Sequence, residues 1–393
     1  MCGALAGAAL TGAAPAGAGE RAAPRTLAPG LVHEQYDLRG AQGPVRAHVL
    51  DVDLDQPRLR LGLLHPGAVA ARAAVSQLAT AQDAVAGVNG DFFNITETQH
   101  PGVPATGASV GPAIADGRAL KAAVPNGQRF GPALPPGTIT EDVIGVGRDH
   151  RARLDRLTLD GTVTTAEDRL PLGGLNQYAL PVGSVGAFTA DWGSASRMRA
   201  VCGTDTERAA PCSTDTYEVT VRDGKVASTA GVPGDGPIPE GTTVLVGREA
   251  GARRLRTLLP GEPVTVTHRL GAAVSPVPLG FAVGGYPVLR DGLPLPGLDD
   301  RTAAVRTAVG IADGGRRVLL FALDGSPEYR TGLTVAELAR TLRDLGAEHA
   351  FSLDGGGSTT LVARTADGVA PLNHPSGGVE RPVPNGIGVF SGG

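Results

Sequence analysis

The stretch that decides the fold runs from Arg317 to Gly357, RVLLFALDGSPEYRTGLTVAELARTLRDLGAEHAFSLDGGG. Arg317 to Leu323 is a near-continuous apolar run, the pattern of a strand buried on both faces. Thr334 with Glu337 forms a capping box. Val335, Leu338, Leu342 and Leu345 fall on one helical face, and Gly346 is the stop. A second apolar run, Ala350 to Leu353, predicts a second buried strand. A helix between two apolar strands suits a crossover connection, which makes the strands parallel. Both strands close alike, FALDG at 321–325 and FSLDG at 351–355. Asp324 and Asp354 therefore belong at one edge of one sheet, where α/β folds place their ligand sites.

After Asp354 come Gly355, Gly356 and Gly357, then the hydroxyls of Ser358, Thr359 and Thr360. Three glycines let the backbone lie against a ligand. Successive free amides in such a turn can bind an anion. The plain alternative is a tight turn in which Asp354 caps its own backbone.

Composition narrows the class. A chain of 393 residues can bury a full core and hold one large or two ordinary domains. The net charge is −4 with acids and bases interspersed, so no basic block points to nucleic acid or to an anionic membrane surface. Aromatics make up 4 %, too few for extensive stacking platforms. Met1 to Glu20 is apolar and small-residue-rich, like the core and cleavage site of a secretory signal without its positive start. Export to the cell envelope or medium is the expectation, and Cys2 would leave with the leader. No other run approaches the ~18 apolar residues of a membrane span, so no transmembrane segment is expected. Cys202 and Cys212 can close a small disulfide loop in an exported protein, or remain two thiols. Cys-x-x-Cys and His-x-x-x-His patterns are missing, which disfavours zinc.

Taken in order, residues 1–30 read as leader and linker, and the linker composition runs on to residue 35. Val45–Leu54 and Leu59–Leu64 read as a strand hairpin, and Arg72–Asp83 as a helix. Ala84–Phe93 reads as a strand running into Asn89-Gly90-Asp91. Thr106–Leu120 predicts two short strands about Asp116-Gly117. The Pro/Gly-rich residues 131–150 read as a boundary. Short strands then follow at regular spacing, with turns at Asp160-Gly161 and Asp223-Gly224. The expected fold is α+β: a mixed β-sheet core with few packed helices, plus a β-rich insertion. Residues 31–130 and 275–393 would form the two parts of the catalytic domain, the latter carrying RTAVG and DGGGS. Residues 131–274 would be the insertion.

Three strand-end acids share a form: Asp91, Asp324 and Asp354. Paired carboxylates can serve as acid and base, as nucleophile and acid, or as ligands of a hard cation such as calcium or magnesium. Glu328 and Arg330 follow Asp324, and Arg306 precedes Thr307 in the RTAVG strand. Arginine holds phosphate through a planar fork. Acids, arginines and a glycine turn together point to a sugar-phosphate substrate.

RTAVGI (306–311), VLLFALDGSPEYRTG (318–332), FSLDGGGSTTLV (351–362), RPVPNGIGVF (381–390) and GVNGDFF (87–93) resemble the phosphodiester glycosidase family. The resemblance covers roughly residues 85–130 and 275–390. It implies hydrolysis of a sugar C1–O–phosphate bond, releasing free sugar and a phosphomonoester. Asn89, Asp91, Arg306, Asp324, Glu328, Arg330, Asp354, Gly355, Gly356, Gly357, Ser358 and Asn385 fall on the family's motif positions. Asp91 departs from the form that has a second glycine there. On this reading Asp354 or Asp324 faces the sugar carbon, with Asp91 and Glu328 as further candidate catalytic acids. Arg306, Arg330 and the Gly355–Ser358 amides hold phosphate, with Thr307 and Thr359 beside them, and Asn89 and Asn385 bind sugar hydroxyls. No cofactor is required, although Asp91, Asp324 and Asp354 could hold a divalent cation. The partner is a sugar-phosphate or glycopolymer of GlcNAc type, from cell wall or exopolysaccharide. Two rivals are a metal-dependent phosphodiesterase that cuts O–P, and a glycopolymer-binding module without catalysis. His268, His349 and His374 lack a usable ligand spacing, and Trp192 and Tyr178 read as core.

Overall fold

A computed structural model describes residues 21–392; the leader-like segment and Cys2 lie outside the described residues. Three sheets of eight, eleven and five strands pack with three α-helices, Val75–Ala81, Ala250–Leu255 and Val335–Asp344. Strands dominate, so the α+β expectation holds only in part. The sheets are also less mixed than expected. Among the described strands the one parallel pairing joins Arg169–Leu175 to Val185–Phe188.

The eight-stranded sheet carries the deciding stretch. Arg317–Leu323 and His349–Ser352 run parallel, but they are not neighbours. Thr307–Ala312 lies between them, antiparallel to both. The helix crossover therefore skips one strand and still leaves Asp324 and Asp354 at the same end of the sheet. Alternation along Arg317–Leu323 explains why it is apolar throughout. Leu319, Phe321 and Leu323 share one core with Leu338 and Leu342 of the helix. Val318, Leu320 and Ala322 share the other with Val88, Ile387 and Val389 of the five-stranded sheet. The helix is capped as expected: Thr334 Oγ1 accepts from the Glu337 amide (3.1 Å), and Glu337 Oε2 accepts from the Thr334 amide (2.8 Å). Glu337 Oε1 also accepts from the Ala41 amide at 2.7 Å, fastening the helix start to a neighbouring turn.

Three local expectations fail. Gly43–Asp53 and Leu59–Leu64 do not form a hairpin. The first pairs with Leu31–Gly40 and Arg317–Leu323, so both its edges are occupied, and the second joins Gly386–Ser391 in the five-stranded sheet. Residues 31–35, expected as linker, belong to the Leu31–Gly40 strand. Asp160-Gly161 is not a turn. It sits inside the long strand Ala152–Thr164, where Asp160 pairs with Arg269, because a neighbouring strand holds the backbone extended. The turns at Asp116-Gly117 and Asp223-Gly224 form where expected.

Within 131–274, Asp142–Gly147 pairs with Leu279–Gly284, which pairs in turn with Ala113–Ala115. The ladder thus runs unbroken across both expected boundaries. Cys202 and Cys212 are joined by a disulfide. Beside it lies a buried ionic cluster. Glu97 accepts from Asn94 Nδ2 (2.7 Å), faces His100 Nδ1 (2.5 Å) and pairs with Arg199 Nε (2.6 Å).

Candidate active site

The site lies where the eight- and five-stranded sheets meet. Ala86–Asn89 of the five-stranded sheet ends at Gly90 and Asp91, and His349–Ser352 of the eight-stranded sheet ends at Leu353 and Asp354. The two ends are stitched together: the Asp354 amide donates to Gly90 O (2.9 Å), and Asn89 Nδ2 donates to Asp354 O (2.7 Å). Asn89 Oδ1 accepts from Thr307 Oγ1 (2.8 Å) and from the Thr360 amide (3.1 Å). Asn89 is fully buried, and its side chain is committed on both atoms. The structure gives it a stapling position rather than one facing a sugar, and Thr307 shares it.

Asp354 is half-buried. Burial pushes its carboxyl up to about 6 against the opposing pull of the Ser358 hydroxyl, the Arg381 charge and the Gly355 amide, while the Asp91 charge adds to the rise. Arg381 lies over Gly357, and its Nη1 donates to Ser358 Oγ at 3.2 Å. A side chain at 357 would run into that guanidinium.

The glycine turn is less open than a phosphate nest requires. The Gly355 amide donates to Asp354 Oδ1 (3.0 Å), Gly356 to Val305 O (2.8 Å), Ser358 to Gly355 O (3.2 Å) and Thr359 to Gly356 O (3.2 Å). Among the described residues only the Gly357 amide of this turn has no acceptor. Ser358 and Thr359 are fully buried.

Asp91 is 2 % exposed and sits deeper than Asp354. Its Oδ2 accepts from the Gly111 amide at 2.6 Å, and its Oδ1 has no partner among the described residues. Its own amide donates to Asn385 Oδ1 at 2.9 Å, which places Asn385 at the site through an oxygen already used. Gly284 closes the other side. A Cβ there would lie 2.6 Å from Asp91 Oδ2 and 2.6 Å from Gly111 Cα, so no larger residue fits. Burial raises the Asp91 carboxyl and lowers the Lys121 ammonium behind it, each opposed by the other's charge. Lys121 Nζ reaches three carbonyls, of Gly111, Ala122 (2.6 Å) and Val110 (3.3 Å). Three acceptors for three protons describe the charged ammonium. Lys121 and Asn385 also line a cavity of about 20 Å³, the size of one water and too small for a sugar.

Asp324 is placed differently. Its Oδ1 accepts from the Ser326 amide (2.9 Å), and its Oδ2 from the His374 amide (3.0 Å) with His48 Nε2 at 3.5 Å. Burial raises its carboxyl, but those donors outweigh it and hold the group well below the usual carboxylate range. The acid fixes the 373–376 loop, whose Ser376 Oγ donates to Gly356 O at 3.3 Å. Asp324 thus acts on the glycine turn through this loop, while Asp91 and Asp354 feel each other's charge directly. Arg306 is spent on carbonyls: Nε donates to Leu333 O (2.9 Å) and Nη2 to Thr302 O (2.7 Å). Glu328 and Arg330 stand exposed on the loop after Asp324.

Sequence reasoning missed Arg129, Lys121, Tyr286 and Arg381. Arg129 follows the Asn126–Gln128 turn. Its guanidinium lies 4.4 Å from the Phe92 ring centroid and 5.3 Å from that of Tyr286, and the two rings stack at 5.8 Å. Nothing in PNGQRFG marks it as functional. Arg381 was within reach, since it opens the RPVPN block.

Against proteins of known structure, the chain superposes on a hypothetical protein from Synechocystis with TM-score 0.69 and 21 % identity, over 93 % of this chain and 62 % of that one. The chain thus spans under two thirds of that relative's length. A Burkholderia pseudomallei protein described as a candidate exported protein gives TM-score 0.73 and 20 % identity over 98 % and 99 % of the two chains. These likenesses are of fold. The catalytic domain of zebrafish N-acetylglucosamine-1-phosphodiester α-N-acetylglucosaminidase gives TM-score 0.46 and 16 % identity over 95 % and 88 %. No protein with a curated description matches. The family model described as phosphodiester glycosidase matches residues 215–390, beginning inside the stretch read above as an insertion and ending at Phe390. Residues 215–390, with Arg306, Asp324, Asp354, Arg381 and Asn385 among them, form a phosphodiester glycosidase family domain.

Proposed function

We propose that the protein hydrolyses the C1–O bond of a sugar-1-phosphodiester of N-acetylglucosamine type. In the reaction a water oxygen bonds to C1. The phosphomonoester departs with the bridging oxygen and the bonding pair, and the water's proton passes through a carboxylate to solvent. A phosphodiester is a good leaving group, so the larger demands are to stabilise positive charge at C1 and to hold the phosphate. The observation that carries this reading is Asp354, a half-buried carboxyl raised to about 6 beside a second raised acid, in the family-matched domain. At neutral pH Asp354 is mostly ionised and can serve as nucleophile or base, and Asp91 beside it is raised by burial against the pull of the Lys121 charge. Arg381 and the Ser358 hydroxyl orient Asp354.

A substrate from cell wall or exopolysaccharide, and a place outside the cytoplasm, fit a chain with a disulfide and a relative described as a candidate exported protein. Among the described residues no helix is long and apolar enough to cross a membrane. On this reading no divalent cation is required, since both Asp324 oxygens are bound within their own turn and loop.

The test is a screen of α-sugar-1-phosphodiesters in oxygen-18 water, with and without EDTA. Label in the released sugar, insensitive to EDTA, is the expected result. Label in phosphate with EDTA sensitivity would instead establish a metal-dependent phosphodiesterase. Micromolar binding without reducing sugar would establish a binding module.

A further inference from the structure

The proposed reaction needs a cation for the phosphate, and the arginines that the motifs suggest are poorly placed to provide it. Arg306 donates to two backbone carbonyls, and Arg330 is exposed on the loop after Asp324. Arg129 lies outside the 215–390 family match and is in a different position. It is 9 % exposed. Its Nη1 donates to Pro132 O, and its Nη2 is buried with no partner among the described residues. Three other buried arginines of this chain are paired with carboxylates, Arg197 with Glu218 (2.8 Å), Arg199 with Glu97 (2.6 Å) and Arg248 with Glu249 (3.0 Å), while buried Arg306 is met by two backbone carbonyls. Among the described residues Arg129 makes no such ion pair; its guanidinium packs against two aromatic rings and one carbonyl, with the Asp91 and Asp354 carboxylates at longer range.

A guanidinium has donors only, so an unmet buried Nη2 calls for an acceptor. A buried cation without a counter-charge is costly unless an anion meets it. The segment is also held firmly enough to aim the group. Gln128 Nε2 donates to Thr204 O (2.5 Å), Gln128 Oε1 accepts from Arg199 Nη2 (2.9 Å), and Arg129 O accepts from Arg208 Nη1 (2.5 Å). Arg129 lies within electrostatic reach of both Asp91 and Asp354.

We propose that Arg129 is a substrate-binding residue that takes the phosphate of the diester through its free Nη2. The proposal rests on the phosphodiester reading for the identity of the anion. The Phe92 and Tyr286 rings orient the guanidinium, and its charge offsets the repulsion between the phosphate and Asp354. The site then selects anionic aglycones: a neutral aryl glycoside of the same sugar would not use Arg129.

The test uses the full chain and inorganic phosphate as a probe that needs no turnover. Phosphate should bind the unaltered protein by calorimetry, and Arg129→Gln should weaken it by about tenfold to a hundredfold, the loss of a charge-assisted hydrogen bond. If Arg129→Gln loses its cooperative melt, Arg129→Lys decides. It keeps the charge without the fork and should still weaken phosphate several-fold. With methyl N-acetyl-α-glucosaminyl phosphate, Arg129→Lys should raise KM more than it lowers kcat. With p-nitrophenyl N-acetyl-α-glucosaminide the rise in KM should be several-fold smaller than with the phosphodiester. Unchanged phosphate affinity in the folded variants, or no phosphate binding by the unaltered protein, overturns the proposal. If the unaltered protein binds phosphate through Arg129 but cleaves neither glycoside, the functional reading fails and the anion site stands.

Discussion

Asp324 and Asp354 sit in the same Leu-Asp-Gly sequence and have opposite electrostatics. Asp324 is held low because two backbone amides and His48 outweigh its burial; Asp354 is raised to about 6 because burial outweighs its Ser358, Arg381 and Gly355 contacts. Replacing Asp354 by Asn should lower kcat by about a thousandfold or more, the scale of losing a nucleophile or base. For the unaltered enzyme kcat/KM should rise with pH through about 6 as Asp354 ionises. Stability should move the other way. A carboxyl raised in the folded state contributes stability that is complete below the unfolded value near 4 and lost as pH rises through about 6. Asp354→Asn should therefore melt at or above the parent at pH 8, by about 1 kcal/mol after allowance for solvent screening, and match it at pH 4. Thermal melts at the two pH values decide this, and a variant less stable at pH 8 would contradict it. Asp324→Asn should instead lose about 1.5–3 kcal/mol at neutral pH, the worth of hydrogen bonds to a charged group.

At the level of elements, the crossover unit was legible and its surroundings were not. The Thr334/Glu337 capping box and the apolar periodicity are local signals, so the helix and its two strands follow from the sequence. The strand Thr307–Ala312 inserted between them forms a tight hairpin with Arg317–Leu323 through residues 313–316, but its second pairing, with His349–Ser352, is long-range, and no local pattern announces it. The same limit explains Asn89. Its residue type and motif position suit a sugar ligand, but three partners that arrive from Thr307, Asp354 and Thr360 make it a staple between two sheets. Asn89→Ala would leave a buried hydroxyl, amide and carbonyl without their partner, and should cost about 3 kcal/mol or more. Denaturant unfolding measures it, and a loss of activity with unchanged stability would restore the sugar-binding role. The glycine turn shows the converse error. Gly355 to Gly357 signal backbone freedom, and sequence cannot say that most of those amides are already engaged.

For the whole molecule, the disulfide and the site are mechanically linked. Arg199 Nη1 donates to Cys202 O (3.1 Å) and its Nη2 to Gln128, the residue before Arg129. Closing a ten-residue span contributes about 3 kcal/mol in the chain-entropy account. A Cys202→Ala/Cys212→Ala pair should lose about that much, and dithiothreitol should raise KM for the phosphodiester before the protein unfolds. An unchanged KM under reduction would separate the two. The stitching of Asn89 to Asp354 has a further consequence, for the time course of folding. The partners are 265 residues apart, and strands from early and late in the chain must meet before either carboxyl has its neighbour. Loop closure on that scale makes the site one of the late products of folding. During refolding, secondary structure should return first and turnover last. A nascent chain has no active centre until nearly all of it has been made.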